Sequence, residues 1–542
     1  MRRSVALAVL LFGASTSLLA DADLLIYTPS RSEPRAWQSG PSSLRLPLEI
    51  LNFGPDAALP VVTFTIPPSF HIASMEPAAE CDVVDDKATC SFMPLAARQR
   101  LVLTLTFATD DLQPAIYGST FSVTSTVTDP VPANNRGVAG YVIYREIAIT
   151  SIVDSGDGTL RAAIEEANAI CGDAIPCKLR GTFAKPVTIA LESPLPAITA
   201  CNADLEAGSD AILGGNVPRR IELDGSRVAS GNGFEIRTHC RAREDGLPQG
   251  TTIHGFAIGG FPENGVLLAP DDEPSSATHQ LLENCIGLDS SAQFLRPNGS
   301  RGIESISDAS RSRIESNIIA GNARSGIAIW NTADSVIRYN KIGWGRFTTT
   351  AFPNGASGLF IGSDHVLAQG NDIAFNAQFG ISIAGSVHRA GVGANVVHSN
   401  GALAIDWALD GATPNDGDES DGIPNTPRFA ARFVPRCFSD DADCWVSTVS
   451  GTVTSNHSLG DEFRVLLYTD AGPDARGNPR AVVPFASIPV VVPPGAGTFE
   501  AQFSKTFEYT KLLGSSITAQ LVIRNRDGEW TSSELSAVVI GR

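Results

Sequence analysis

The sequence predicts an all-β chain, a right-handed parallel β-helix flanked by N-terminal and C-terminal β-sandwich domains, on three observations. Short runs near both ends alternate apolar and polar residues. A repeat of 22 to 24 residues runs through the middle, as from Gly358 to Gly380 and from Gly302 to Gly326. A Gly-rich turn feeding one amphipathic helix stands before that repeat. Internal repetition weighs most, because a short unit cannot bury its apolar side alone and has to stack on its neighbours.

At 542 residues the chain has room for three or four domains, or fewer if one is a solenoid. Arg2 and Arg3, the apolar run Val5 to Phe12 and the small residues ending Ala20-Asp21-Ala22 form the three-part pattern of a secretory signal peptide, residues 1–22. That run is too short to span a bilayer, and no later segment is apolar enough. Nine cysteines in an exported chain are disulfide candidates: Cys81 with Cys90, Cys171 with Cys177, Cys437 with Cys444, and Cys201 with Cys240, leaving Cys285 over. With no C-x-x-C, and with the eight histidines not clustering with the cysteines, zinc is not indicated. A net charge of −18, with no visible cationic patch, argues against nucleic acid as a partner. It also disfavours simple attraction to polyanions such as pectin or alginate, unless bound calcium offsets the repulsion locally.

Residues 23–146 read as a β-sandwich of immunoglobulin type, from alternating runs such as Ser43 to Ile50 and Leu101 to Phe107 bounded by Gly, Pro and Asn. Asn52-Phe53-Gly54-Pro55-Asp56, the Cys81/Cys90 pair and Asp129-Pro130-Val131-Pro132-Ala133-Asn134-Asn135 together resemble immunoglobulin-like repeats of bacterial surface proteins. That resemblance implies a spacer or adhesion module. Residues 433–542 read as a second sandwich, with runs such as Phe463 to Tyr468 and Ile517 to Ile523.

The solenoid is expected over 147–432. Asp154-x-Gly156-x-Gly158-Thr159-Leu160-Arg161-x-Ala163-Ile164 opens it, with Thr159 as N-cap and Leu160, Ala163, Ile164 and Ala167 on one helical face covering the open end. Gly-apolar starts recur at Gly265, Gly302, Gly326, Gly358 and Gly380, with Ala402-Leu403 as a degenerate member. Asn-x-Ile (or Val) recurs at Asn284, Asn317, Asn340, Asn371 and Asn395. Two coils are longer, and the block from Asn284 to Ile303 matches the block from Asn340 to Leu359 at identical spacing. Ile327 with Ile329, Leu359 with Ile361, Ile381 with Ile383 and Leu403 with Ile405 should face inward, and the asparagines should stack at a bend. Cys285 occupies the slot held by Ile318, Lys341, Asp372 and Val396, which leaves its burial open. These repeats and the opening helix resemble the bacterial secreted right-handed parallel β-helix repeat proteins of the pectate-lyase-like superfamily, over roughly half the chain. The resemblance implies fold far more than activity.

Two groups of residues are candidates for chemistry. The acidic loop supplies hard oxygen ligands at Asp410, Asn415, Asp416, Asp418 and Asp421, suited to calcium, though a solvated linker has the same composition. On the outward face of the coils, Glu304, Arg313, Glu315, Trp330, Arg338, Phe360 and Asp406 could line a groove for an extended polysaccharide. There Trp330 and Phe360 would stack on sugar rings with Arg313 beside them. Arg338 would neutralise a uronate or act as base, with Glu315 and Glu304 holding calcium. Against enzymes of this shape, the G-H-G histidine motif of polygalacturonases and the D-P-H-E motif of mannuronan epimerases are missing. The expectation is therefore a secreted or cell-surface protein binding extracellular carbohydrate. A polysaccharide lyase or epimerase acting on a uronate-containing glycan is the alternative.

Overall fold

A computed structural model describes residues 22–27, 37–40, 43–109, 113–129, 132–172, 174–208, 221–238, 240, 249–269, 277–306, 311–346, 350–416, 423–435, 445–470, 480–508, 516–525 and 529–540. The signal-peptide pattern up to residue 21, Asp418, Asp421 and the Cys437/Cys444 pair lie outside them. The described residues form two compact units, one ending at Ile143 and one beginning at Tyr144.

The first unit is a sandwich of two antiparallel sheets. One carries Leu24–Tyr27, Ser43–Asn52, Arg100–Thr109 and Phe70–Glu76 in that order; the other carries Arg136–Ile143, Ala115–Thr124, Val61–Thr65, Lys87–Ser91 and Glu80–Val84. Alternate residues point between the sheets, so Leu46, Leu48 and Ile50 are buried against Leu103, Leu105 and Phe107. Asn52 ends its strand by donating to the Leu95 carbonyl and accepting from Gly54 N, which is what its Asn-x-Gly context requires. The Cys81–Cys90 disulfide cross-links two paired strands.

The second unit is the right-handed parallel β-helix with the C-terminal sandwich packed on its last coil. Three parallel sheets run its length: sheet 1 from Arg145–Ile149 to Ala390–Gly391 in nine strands, sheet 2 from Val187–Ala190 to Val396–His398 in eight, and sheet 3 from Phe234–Ile236 to Ile405–Trp407 in seven. Pairing starts at Arg145 with Cys177, two residues before the expected boundary. Inside, Leu281, Ile314 and Ile337 stack on sheet 1, Ile286, Ile319, Ile342 and Ile373 on sheet 2, and Ile303, Ile327, Leu359 and Ile381 on sheet 3, all fully buried. Burying each such side chain is worth about 1.5–3 kcal/mol, so these columns supply most of the solenoid's apolar stabilisation.

The expected asparagine stack forms at the corner between sheets 1 and 2. Each amide donates to the next at 2.9–3.1 Å, from Asn284 through Asn317, Asn340 and Asn371 to Asn395. The residue before each, Glu283, Ser316, Tyr339, Gly370 and Ala394, takes a left-handed φ between 54° and 68°, which makes the bend. A second ladder, Asn298–Asn322–Asn354–Asn376–Asn400, marks the passage from sheet 2 to sheet 3. It also accounts for the recurring glycines: a Cβ on Gly326 would lie 2.8 Å from the Gly358 carbonyl oxygen and 3.0 Å from the Asn354 amide nitrogen.

The last coil departs from expectation. Ile381 pairs with Ile405 and Ile383 with Trp407, so Ala404-Ile405 continues the Gly-apolar series and Ala402-Leu403 does not. The inward pair there is Ile405 and Trp407, both buried. Helix α1 (Leu160–Ile170) closes the other end as expected, Thr159 accepting from Ala162 N and the four predicted residues joining the solenoid core.

The C-terminal sandwich starts at Arg428 rather than 433, because Arg428–Pro435 pairs with Trp445–Asn456. It grips the final coil through the Arg389–Glu529 ion pair at 2.6 Å, Val392 N to Ser532 Oγ, Ala394 N to the Tyr468 hydroxyl and Trp407 Nε1 to the Ser532 carbonyl. The Cys171–Cys177 and Cys201–Cys240 disulfides form near the opposite end. Cys285 is buried with Leu288, Ala292, Ile318 and Ala320, with Phe352 packed against them.

Asn340→Ala strips partners from three groups, the buried Ile314 carbonyl, the main-chain N–H of Asn317 and the side-chain amide of Asn317. At about 1–3 kcal/mol for each orphaned group, the variant should lose at least about 3 kcal/mol in denaturant unfolding; a loss below about 0.5 kcal/mol would deny the ladder its role.

Candidate functional site

On sheet 3 the outward positions align as Glu235, Leu267, Glu304, Ala328, Phe360, Ser382 and Asp406, one per coil. Trp330 stands two positions beyond Ala328, opposite Gly362. Its ring centroid lies 4.2 Å from that of Phe360 at a 36° tilt. Gly362 makes this possible, since a Cβ there would come within 2.9 Å of Phe360 and 3.1 Å of Trp330. Both rings are half-buried. Arg301 places its guanidinium 5.8 Å from the Trp330 ring and binds Glu304 at 2.7 Å, whose other oxygen accepts from the Asn264 amide at 2.9 Å. An aromatic pair beside a fixed carboxylate and guanidinium can stack on one face of a ring and hydrogen-bond its edge.

Arg313, Glu315 and Arg338 lie on sheet 1, so the seven outward residues do not line one groove. Arg313 and Arg338 follow the third corner of their coils, whereas Glu304, Trp330 and Phe360 precede it. Arg313 pairs with Glu315 at 2.8 Å, and Glu315 stands in register with Arg338. The Arg338 Nε is buried without a hydrogen-bond partner. Beside it Tyr339, 67% exposed, rests on Gly370, where a Cβ would approach the ring to 2.8 Å.

Asp406 points away from the coil interior but is buried, contrary to the expectation of a solvent-facing residue. Neither carboxylate oxygen makes a hydrogen bond of ordinary geometry. Burial pushes its pKa up to about 6, partly offset by the N–H groups of Gly411, Leu409 and Asp410 and reinforced by the Asp410 charge. Nearby Glu534, also raised by burial, accepts from Trp407 N, Thr413 N and the Thr413 hydroxyl.

In the acidic loop, Asn415 commits its amide oxygen to Thr426 N and Oγ1. Asp410 is exposed, and Asp416 lines a small pocket of about 300 Å³ with Asn415, Thr426, Arg428, Thr452 and Thr454. Among the described residues no three carboxylate, imidazole or thiolate groups converge on a metal position.

A family model described as "Right handed beta helix region" matches residues 246–414. No curated protein matches the chain. Among solved structures, the A-module of a mannuronan C-5 epimerase from Azotobacter vinelandii is 17% identical, covers 47% of this chain and 77% of its own, and superposes with a TM-score of 0.22. A tailspike capsular polysaccharide depolymerase from Acinetobacter baumannii bacteriophage Fri1 is 9% identical, with 78% and 97% covered and a TM-score of 0.24. An exo-β-N-acetylglucosaminidase from Vibrio harveyi is 11% identical at a TM-score of 0.14; 24% of this chain is covered, and it spans only 21% of that enzyme.

Two outcomes are expected. A carboxyl held near 6 when folded and near 4 when unfolded contributes stability that is full below about pH 4 and is lost as pH rises through 6. Asp406→Asn, neutral throughout, should therefore unfold later than wild type at pH 8, by about 1–2 kcal/mol, with the gap closing at pH 4; an equal midpoint at both pH values would refute the buried charge. If the acidic loop as a whole holds calcium, a chelator should lower the thermal midpoint by several degrees, and an unchanged midpoint removes that metal.

Proposed function

We propose that the solenoid binds an extracellular carbohydrate across the outer face of sheet 3, with Trp330 and Phe360 as the stacking platform. The stacked pair carries this reading: two large aromatic side chains held on adjacent coils, half-open to solvent, above a glycine that leaves them room. Glu304, fixed by Arg301 and Asn264, offers hydroxyl groups an acceptor at the same face. Export fits three disulfides, which persist in oxidising compartments. No helix among the described residues is long and apolar enough to cross a membrane. The net charge of −18 argues against nucleic acid.

Lyase or epimerase action on a uronate-containing glycan is the second reading, favoured by Arg338 with its unpartnered Nε beside the exposed Tyr339. Arg313, paired with Glu315, would belong to that face and not to the aromatic platform. A glycan array probed with wild type, Trp330→Ala and Arg338→Ala separates the two. Binding through the platform should fall roughly tenfold or more, about 1.4 kcal/mol, in Trp330→Ala and hold in Arg338→Ala. Turnover of a uronate polymer that vanishes in Arg338→Ala would favour catalysis instead, and no hit on any glycan would defeat both.

A further inference from the structure

The outer face of sheet 2 changes character along the solenoid. Toward the N-terminal coils it is closed: Phe352 from one of the two long insertions, with Leu288 and Ala292 from the other, covers Cys285 and Ile318. The same column continues as Lys341, Asp372 and Val396, all partly exposed. There three rings meet edge to face: Trp344 and Phe375 at 6.2 Å, Phe375 and His398 at 5.9 Å, and Trp344 and His398 at 6.4 Å, with interplanar angles of 70–83°.

Lys341 and Asp372 are register partners on neighbouring strands yet do not bond to each other. Instead the Lys341 ammonium sits 3.6 Å from the Trp344 ring centroid and donates to the Arg346 carbonyl. Asp372 Oδ1 is left buried without a hydrogen-bond partner, and so is Trp344 Nε1. One is an acceptor and the other a donor, and Lys341 links the two residues, since Asp372 is its register partner and Trp344 lies under its ammonium. A buried polar group without a partner costs about 1–3 kcal/mol, and this stretch of sheet 2 carries two of them.

From this corner we infer a second ligand site, between Trp344, Phe375 and His398, that takes one residue of a neutral sugar. A hydroxyl group donates and accepts, so adjacent hydroxyls of one sugar would satisfy both the Asp372 oxygen and the Trp344 N–H, while its apolar face packs on a ring. Asp372 repels an anionic sugar, and Lys341, with Arg480 acting on His398 from the C-terminal domain, repels a cationic one. Burial also raises the Asp372 pKa to about 6, still below neutral pH, and lowers that of Lys341. Lys341, whose ammonium lies over the Trp344 ring, is the group that swings aside on binding.

This site is independent of the sheet 3 platform, and the test keeps them apart. Saturation-transfer NMR on the full chain would use glucose, galactose, N-acetylglucosamine and glucuronate as probes. At least one neutral sugar should bind saturably to wild type and equally to Trp330→Ala. Affinity should fall tenfold or more in Asp372→Ala and in Trp344→Phe, the latter keeping a ring while deleting only the N–H donor. Unchanged binding in Trp344→Phe, glucuronate binding as tightly as the neutral sugars, or no binding of any neutral probe would each overturn the assignment. Loss in Trp330→Ala with none in the two sheet 2 variants would assign the signal to the platform and also reject this site.

Discussion

Each amide in the corner ladder donates to its neighbour on one side and accepts from its neighbour on the other, and this two-sided bonding holds the second unit in register. Asn340 accepts from Asn317 and donates to Asn371, so neither coil can slip by a residue without orphaning buried main-chain groups. The spacing between ladder members varies from 23 residues, Asn317 to Asn340, to 33, Asn284 to Asn317. The corner absorbs none of that variation. Extra length is expelled into the insertions on sheet 2, where it packs over Cys285 or frames the open aromatic corner.

Because register is fixed inside, the outward positions are fixed too, and each sheet presents its own straight columns. This is why Trp330 finds Phe360 on the next coil at stacking distance, and why Glu315 meets Arg338. Chemistry on such a surface is built along the axis between coils, never between residues close in sequence that belong to different sheets. Arg313 and Glu304, nine positions apart, therefore belong to separate faces.

The solenoid was legible because stacking demands the same residue type at the same slot in every turn. The Gly-apolar and Asn-x-Ile series, the inward isoleucines and the capping helix all follow from that demand. The second ladder leaves an equally regular trace, an asparagine four residues before each of Gly302, Gly326, Gly358 and Gly380, without the Ile or Val two positions later that marks the first series. Features outside the repetition leave no such trace. Ala402-Leu403 imitates a coil start, but nothing stacks beyond the last coil to require a small residue, and Trp407 is accommodated by Ser532 and Glu534 more than 120 positions away. Asp406 was placed on the correct side of its strand, while its burial depends on residues 409–411 and on Glu534's segment. Periodicity likewise tells inward from outward but not which corner has been passed, so the platform and the arginine face were merged.

The segment Thr531 to Ser536 is almost wholly buried, and Ser532 and Glu534 accept from the main-chain N–H groups of Val392 and Trp407 in the final coils, which would otherwise face water as an open sheet edge. A protease nick that detached those six residues would do more than loosen one domain. It would convert the molecule's stopper into a template, with unpaired strand ends free to recruit another chain, and the expected product is a growing filament.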